Sequence, residues 1–131
     1  MRDLVGFLVP DWIRKYKPMT QPAQQVAIVL TTFGVGQALT VARVLVEEHL
    51  AACVNVLPAM TSIYYWKGAV QQEDEEQVVM KTTADRLADL EARVRQLHPY
   101  ELPEFLVISA DAASESYLRW IGEAVHPVGQ A

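Results

Sequence analysis

The order of its hydrophobic patterns constrains this chain more than any other feature. Short apolar runs typical of strands alternate with stripes of helical spacing in the order strand, helix, strand, strand, helix, strand, helix. The predicted strands are residues 26–32, the stretch from Cys53 to Trp66 with an interruption at Pro58, and residues 69–81 and 104–110. The predicted helices are residues 37–50, a helix that Thr82 or Thr83 caps and Pro99 stops, and the stretch from Ser114, its expected N-cap, to Val125.

This order predicts an α+β fold, a ferredoxin-like βαββαβ sandwich with an added C-terminal helix. Right-handed crossovers would place the four strands in the spatial order 4-1-3-2. Both main helices are expected to end at the same end of the sheet, which would put Cys53 and His98 at equivalent junctions on opposite outer strands. Three strand spacings then separate these residues by about 14 Å. One metal ion can bind both only if a neighbouring subunit closes that gap.

Composition divides the chain into one domain and two peripheral ends. Residues 26–125 carry the regular patterns, whereas residues 1–25 are interpreted as an N-terminal extension and linker, and residues 126–131 as a tail. The extension is basic, with four Lys or Arg against two Asp, and its Trp12 and Tyr16 are suited to docking on the domain or on a neighbour. Met19 is an alternative start, which would make residues 1–18 an addition.

Charge and cysteine content argue against several classes of function. The net charge is −5 and the pI is near 5.1, whereas nucleic-acid binding rests on clustered Lys and Arg. No apolar run approaches the roughly 20 residues that span a bilayer. The single cysteine cannot form an internal disulfide, so the domain must be stabilised by its core. The free thiol, the acidity and the lack of a recognisable secretory signal predict a cytoplasmic protein.

Several stretches resemble the CutA family of divalent-cation-tolerance proteins. They occur in the family's order over residues 26–122 and are residues 29–32, 50–55, 61–68, 81–83, 98–104 and 117–121. The resemblance implies a ferredoxin-like subunit in a homotrimer that joins strands across subunits, and a role in tolerance to copper and other divalent metals. It also implies a likeness to PII signalling trimers, and no established enzyme reaction.

The resemblance points to Cys53 and His98 as metal ligands, with Glu75 as the third. Thiolate and imidazole favour copper or zinc, so Cu²⁺ or another divalent ion is the candidate ligand and no cofactor is expected to be obligatory. The spacing itself offers little support, because no CxxC or HxxxH pattern occurs. The alternative is that Cys53 is a packing thiol and that the charge of His98 complements a helix dipole.

Two further groups of side chains have competing interpretations. The acidic run Glu73–Glu76 could bind a hard cation, but residues on a strand alternate between faces, so charged protection of an exposed ribbon is preferred for at least three of the four. The aromatic residues Tyr64, Tyr65, Trp66 and Tyr100 are expected at a subunit interface rather than stacked on nucleobases.

The sequence contains no recognised catalytic motif: GxSxG, the P-loop and the dinucleotide fingerprint do not occur. We therefore expect a non-enzymatic trimer that binds divalent metal and affects metal tolerance. The rival hypothesis is a PII-like sensor or scaffold that binds a small anionic ligand in an intersubunit cleft. That role requires cations in the cleft, and Lys67 and Lys81 are the nearest candidates.

Overall fold

The computed structural model describes residues 25–128, and its elements follow the predicted order. The strands are β1 (Val26–Gly34), β2 (Cys53–Val56), β3 (Met60–Trp66), β4 (Ala69–Thr83) and β5 (Leu106–Ser109); the helices are α1 (Ala38–Glu47), α2 (Leu87–Leu97) and α3 (Glu115–Val125), and the 3₁₀ turn Ala84–Arg86 precedes α2. Nearly all of the predicted extension, and the last three residues of the tail, lie outside the described residues.

One antiparallel sheet contains all five strands. Its order is β2-β4-β1-β5, and β3 also pairs with β4, beyond the end of β2. This is the ferredoxin-like arrangement, and it confirms the predicted order 4-1-3-2 once β2 and β3 are counted as one interrupted strand. The predicted hairpin closes at Lys67 and Gly68, which both have positive φ angles, 50° and 81°, as a two-residue type I′ turn requires.

The interruption at Pro58 is a β-bulge. Three residues, 57–59, lie opposite only two residues of β4, because the register advances from Val56↔Val78 to Met60↔Glu75. Proline has no N–H to donate to the ladder. The extra residue reverses the alternation of side chains, so odd-numbered residues of β2 share a face of the sheet with even-numbered residues of β3.

The two main helices end at opposite ends of the sheet, so the predicted common end is wrong. β5 runs antiparallel to β1, whereas β2, antiparallel to β4, runs parallel to β1. The chain therefore enters β2 and β5 from opposite ends after leaving α1 and α2. The prediction failed because it considered only the order of strands across the sheet and not their directions.

The face of the sheet beneath α1 and α2, here called the covered face, carries the main core. Its strands contribute Val29, Phe33, Val78 and Met80, which pack with Leu45 of α1 and Leu90 of α2. These side chains are almost fully buried, and each contributes about 1.5–3 kcal/mol to folding. A second cluster, in which Ile121 and Val125 of α3 pack on Val26, closes one end of the opposite face.

Candidate metal centre and acidic groove

The face opposite α1 and α2, here called the open face, carries two of the three predicted ligands. Cross-strand partners share a face, so Cys53, which pairs with Lys81, lies on the same side as Glu75, six residues along β4. The open face also carries an apolar strip without a covering helix, formed by Ile28, Leu30, Val79, Leu106 and Ile108. Two members of this strip on β5, Leu106 and Ile108, are about half exposed, 56% and 49%.

Cys53 lies at the first residue of the edge strand β2 and is partly exposed. Its thiol is 3.8 Å from Asn55 Oδ1, and Lys81 Nζ donates to the same oxygen at 3.1 Å. The alanine before it, Ala52, is buried, whereas Cys53 has intermediate exposure and lies on the open face. Cys53 is therefore not the fully buried packing group of the alternative interpretation.

His98 follows α2 and is buried at the edge of β1. Its Nε2 lies 2.7 Å from the carbonyl oxygen of Thr32, which can only accept, so Nε2 carries the proton and donates. Nδ1 accepts from the backbone N–H of Tyr100 at 3.2 Å, and the ring stacks on Phe33 with centroids 4.1 Å apart. Burial lowers the pKa of His98 below its ordinary value. The ring is therefore neutral near pH 7. This argues against the alternative interpretation, in which a charged His98 complements the helix dipole.

Glu75 is a buried carboxylate, 6% exposed. The hydroxyl of Tyr100 donates to Glu75 Oε2 at 2.7 Å. Burial first, and then the hydrogen bond to Glu75, raise the pKa of Tyr100 far above its ordinary value, so the phenol keeps its proton. Among residues 25–128, no Lys, Arg or His forms an ion pair with Glu75.

Glu75 and Tyr100 lie in a groove of about 950 Å³ between the β3–β4 hairpin and the segment that leads into β5. We call it the acidic groove because, among the described residues, four carboxylates line it, those of Glu73, Glu75, Glu101 and Glu104, and no Lys or Arg does. Its aromatic lining is Tyr64, Tyr65, Trp66, Tyr100 and Phe105. The bulge directs Tyr64 and Trp66 to this side, since it shifts the alternation along β3 by one residue.

The structure brings Glu75 and His98 together through Tyr100 and leaves Cys53 apart. Cys53 is level with Ile28 of β1, whereas His98 binds the carbonyl of Thr32, four residues further along that strand. Two strand spacings and four residue rises separate these positions by about 16 Å. Six residue rises along β4 separate Glu75 from Lys81, the cross-strand partner of Cys53, by about 20 Å. Within the described part of the chain, no three His, Cys, Asp or Glu residues form a metal-binding group.

The acidic run has three different roles rather than one. Glu73 and Asp74 are exposed, as charged protection of the hairpin predicts, but Glu75 and Glu76 are not. Glu76 Oε1 accepts from the N–H groups of Gly36 and Ala38, at 3.1 and 3.4 Å, where a negative charge complements the start of α1. The prediction that at least three of the four acidic residues protect an exposed ribbon was therefore wrong. Burial along β4 depends on what packs above each position, and the local sequence does not show this.

The two lysines proposed for an anionic ligand are engaged elsewhere. Lys67 Nζ lies 3.4 Å from Glu101 Oε2 at the rim of the acidic groove, and Lys81 binds Asn55 near Cys53. Neither lysine lines the groove.

Sequence reasoning missed part of the polar network beside the groove. Gln77 Nε2 donates to the Thr31 carbonyl at 2.6 Å and to Glu104 Oε2 at 3.2 Å, which links β4 to the segment before β5. The motif His98–Glu104 contains Tyr100 and Glu104, but no spacing connects them with β4, because these contacts span 25 and 27 residues of sequence.

The comparisons with known proteins agree on one family. The model of the family described as the CutA1 divalent ion tolerance protein matches residues 26–124. The divalent-cation tolerance protein CutA of Thermus thermophilus is 44% identical over 86 residues, 66% of this chain and 84% of that protein. The CutA homologue of Xenopus laevis is 42% identical over 88 residues, and the match spans 67% of this chain but only 58% of that protein.

Solved structures of similar proteins have the same fold. The divalent cation tolerance protein from Thermus thermophilus superposes with a TM-score of 0.73 at 41% identity, covering 76% of this chain and 97% of that one. A structure described as the PII-like protein CutA from Nostoc, in apo form, gives the same TM-score, identity and coverage. Within residues 25–128, no helix has the length and apolar character needed to cross a membrane.

Proposed function

This chain belongs to the CutA1 divalent ion tolerance family, and from that premise we propose that it is a non-catalytic homotrimer that binds copper or other divalent metal ions and contributes to metal tolerance. The candidate ligands are Glu75 and His98 of one subunit and Cys53 of a neighbour. The neighbour is required because Cys53 and His98 are about 16 Å apart within one chain.

The observation that carries the proposal is the buried Glu75 carboxylate. Removing a carboxylate from water costs several kcal/mol unless a cation or several hydrogen bonds compensate. Within the described residues, Glu75 has one such hydrogen bond, from Tyr100, and no cation. A divalent ion supplies the missing charge, and carboxylate oxygen is a ligand that such ions accept.

His98 has the tautomer that a metal ligand needs. Histidines that bind metals commonly donate their other ring N–H to a carbonyl, which fixes the tautomer and the orientation of the ring. His98 makes this bond from Nε2 to Thr32. Its Nδ1 lone pair accepts one long hydrogen bond, from Tyr100 at 3.2 Å. A metal ion that binds through Nδ1 therefore has to replace only the hydrogen bond from the backbone N–H of Tyr100.

The apolar strip of the open face supports the homotrimer. Its five side chains are contiguous across β4, β1 and β5, and two of them are about half exposed in the single chain. An exposed apolar patch of this kind on a soluble domain marks an interaction surface.

Copper titration by calorimetry tests the ligand set. Glu75→Gln and His98→Ala are each expected to weaken copper binding by at least tenfold, and Cys53→Ser is expected to do the same in the trimer. Glu123→Gln and His126→Ala are matched controls, because they make the same chemical changes at exposed positions outside the groove. An unchanged affinity in Glu75→Gln would refute the proposal, and an unchanged affinity in Cys53→Ser alone would remove the thiol from the ligand set.

The rival function, binding of a small anionic ligand, has the PII-like description of the Nostoc protein in its favour. The acidic groove favours a cation instead, because within residues 25–128 four carboxylates line it and no basic side chain does. A thermal-shift panel of divalent metals and nucleotides separates the two. Stabilisation by nucleotides without any response to copper would establish the rival.

We propose the cytoplasm as the location, on the evidence of the free, partly exposed thiol of Cys53. A structural relative from Archaeoglobus fulgidus is described as periplasmic. Labelling of the thiol in intact cells and in fractionated cells tests this proposal, and recovery of the protein in a periplasmic fraction would overturn it.

A further inference from the structure

The acidic groove has a charge and an aromatic lining that suit a basic, aromatic peptide. Glu73 and Glu101 are exposed, whereas Glu75 is buried below them. Lys67, at the rim, is already paired with Glu101. Among residues 25–128, the other three carboxylates of the lining, those of Glu73, Glu75 and Glu104, form no ion pair. Together with its aromatic side chains, this lining offers both ion pairs and cation–π contacts to an incoming Lys or Arg.

The N-terminal extension contains a segment of matching chemistry. Residues 12–17 read Trp-Ile-Arg-Lys-Tyr-Lys, which is three cations, two aromatic rings and one aliphatic side chain, with no acid. Pro10 and Pro18 flank the segment, and a residue before proline favours an extended backbone. The segment precedes the residues matched by the family model, which begin at Val26. It is therefore a feature that the family's defining domain does not include.

The extension is long enough to reach the groove. It joins the domain at Gln25, whose carbonyl accepts from the N–H of Ala84 at 2.8 Å, beside the start of β1. Glu75 pairs with Gly34, eight residues further along that strand, so the groove begins about 26 Å away. The eight residue steps from Lys17 to Gln25 span about the same distance when extended, and residues 12–16 reach beyond it.

We propose that residues 12–17 of this chain dock in the acidic groove, with the basic side chains against its carboxylates and the aromatic side chains against its aromatic lining. Because the segment is tethered, its effective concentration is in the millimolar range, so even a weak contact is well populated. The groove of the same subunit or of a neighbour satisfies the proposal equally. If Glu75 also binds metal, which rests on the proposed function, the segment and the metal compete.

Fluorescence of Trp12 tests docking without any metal, so a failed metal proposal leaves the test intact. The chain has three tryptophans, and Trp66→Phe with Trp120→Phe leaves Trp12 as the only reporter in the full-length parent. Reversing the three cations with Arg14→Glu, Lys15→Glu and Lys17→Glu is expected to raise acrylamide quenching of Trp12 at least threefold. Salt at 0.5 M is expected to act in the same direction because it screens the ion pairs.

The matched control reverses three exposed arginines far from the groove, Arg43→Glu, Arg95→Glu and Arg119→Glu. It changes the net charge by the same amount and is expected to leave the quenching as in the parent. Equal quenching in the parent and in the variant with the reversed segment would overturn the proposal. Circular dichroism confirms that each variant retains the fold.

Disulfide trapping supplies a second, independent readout. In a Cys53→Ser background, Lys15→Cys with Glu73→Cys is expected to oxidise at least fivefold faster than Lys15→Cys with Asp111→Cys. Asp111 is an exposed residue next to the strand end where the extension joins the domain, so random motion of the tether favours this control. Equal rates for the two pairs would contradict docking, whereas a faster groove pair within or between subunits supports it.

Discussion

The two faces of the sheet are built from the same strands but differ in what completes them. The covered face is closed within one chain, where Val29, Met80 and Leu90 have no exposed surface. The open face is closed only at the end where α3 packs, and its apolar strip is left partly exposed. Polar side chains of the candidate site, among them Cys53 and Glu75, lie on the open face, and Tyr100 contacts Glu75 there. A single chain therefore completes the covered face but leaves the open face partly exposed.

The largest expected effect is on the covered face. Leu90→Ala should lower the free energy of unfolding by about 2–5 kcal/mol, because it leaves a cavity in a fully packed core. Leu30→Ala, the matched change on the apolar strip, should cost clearly less at low protein concentration and more at high concentration, where the proposed trimer covers the strip. Urea unfolding at two protein concentrations measures both. If the two variants lost equal unfolding free energy at both protein concentrations, the proposed difference between the covered and open faces would be contradicted.

The second prediction concerns assembly through the open face. Leu106→Lys should dissociate the proposed trimer, raising the concentration for half-dissociation by at least tenfold, because each subunit loses burial of a leucine worth about 1.5–3 kcal/mol. Light scattering after size exclusion measures the mass. The control Leu39→Lys changes an exposed leucine of α1 on the other side of the sheet. Trimers that persist in Leu106→Lys at low concentration would contradict this assignment of the interface.

The third prediction contrasts the two ends of the open face. Tyr100→Phe should destabilise the domain by about 1–3 kcal/mol, because the buried Glu75 carboxylate loses its hydrogen bond. Cys53→Ser should change stability by no more than about 0.5 kcal/mol, as a surface substitution does.

The same tyrosine should also determine stability at high pH. The pKa of Tyr100 is raised in the folded state, so the unfolded chain loses its proton first, and stability falls as the pH rises above about 10. Tyr100→Phe should reduce the decrease in stability above about pH 10, as measured by thermal unfolding at a series of pH values. Tyr65→Phe, at an exposed ring, should leave that decrease unchanged. Equal alkaline slopes in the two variants would show that Tyr100 is not the group responsible.

The smallest predicted effect is the acid dependence due to His98. Burial depresses the pKa of His98 in the folded state, so below about pH 6.5 the unfolded chain binds the additional proton. The free energy of unfolding should therefore decrease as the pH is lowered through that range, and this group contributes at most about 1.4 kcal/mol per pH unit. His98→Gln should reduce the slope of unfolding free energy against pH, and His126→Gln serves as the control. A slope unchanged in His98→Gln would exclude the buried ring as its source.

Local signals predicted the elements well because they depend on neighbouring residues. Ser114 caps α3 as expected, its Oγ accepting from the N–H of Tyr117 at 3.3 Å. The turn at Lys67 and Gly68 and the interruption at Pro58 were also visible, since proline and glycine restrict the backbone directly. The candidate site was predicted less well. Glu76 was placed with the surface charges of the hairpin, yet it binds the start of α1 across 38 and 40 residues of sequence.

The sequence by itself determined the order of strands and helices, the family, and the residue types at the site, because periodicity, caps and motifs are properties of short stretches. Only the tertiary structure decided which of these residues meet. The direction of β5 placed His98 at the same end of the sheet as Glu75, the one-residue bulge at Pro58 placed Tyr64 on the same face as Glu75, and Cys53 was left at the other end. Strand direction and register act over the whole sheet, so no local pattern reveals them, and they separate Cys53 from His98 by about 16 Å within one chain.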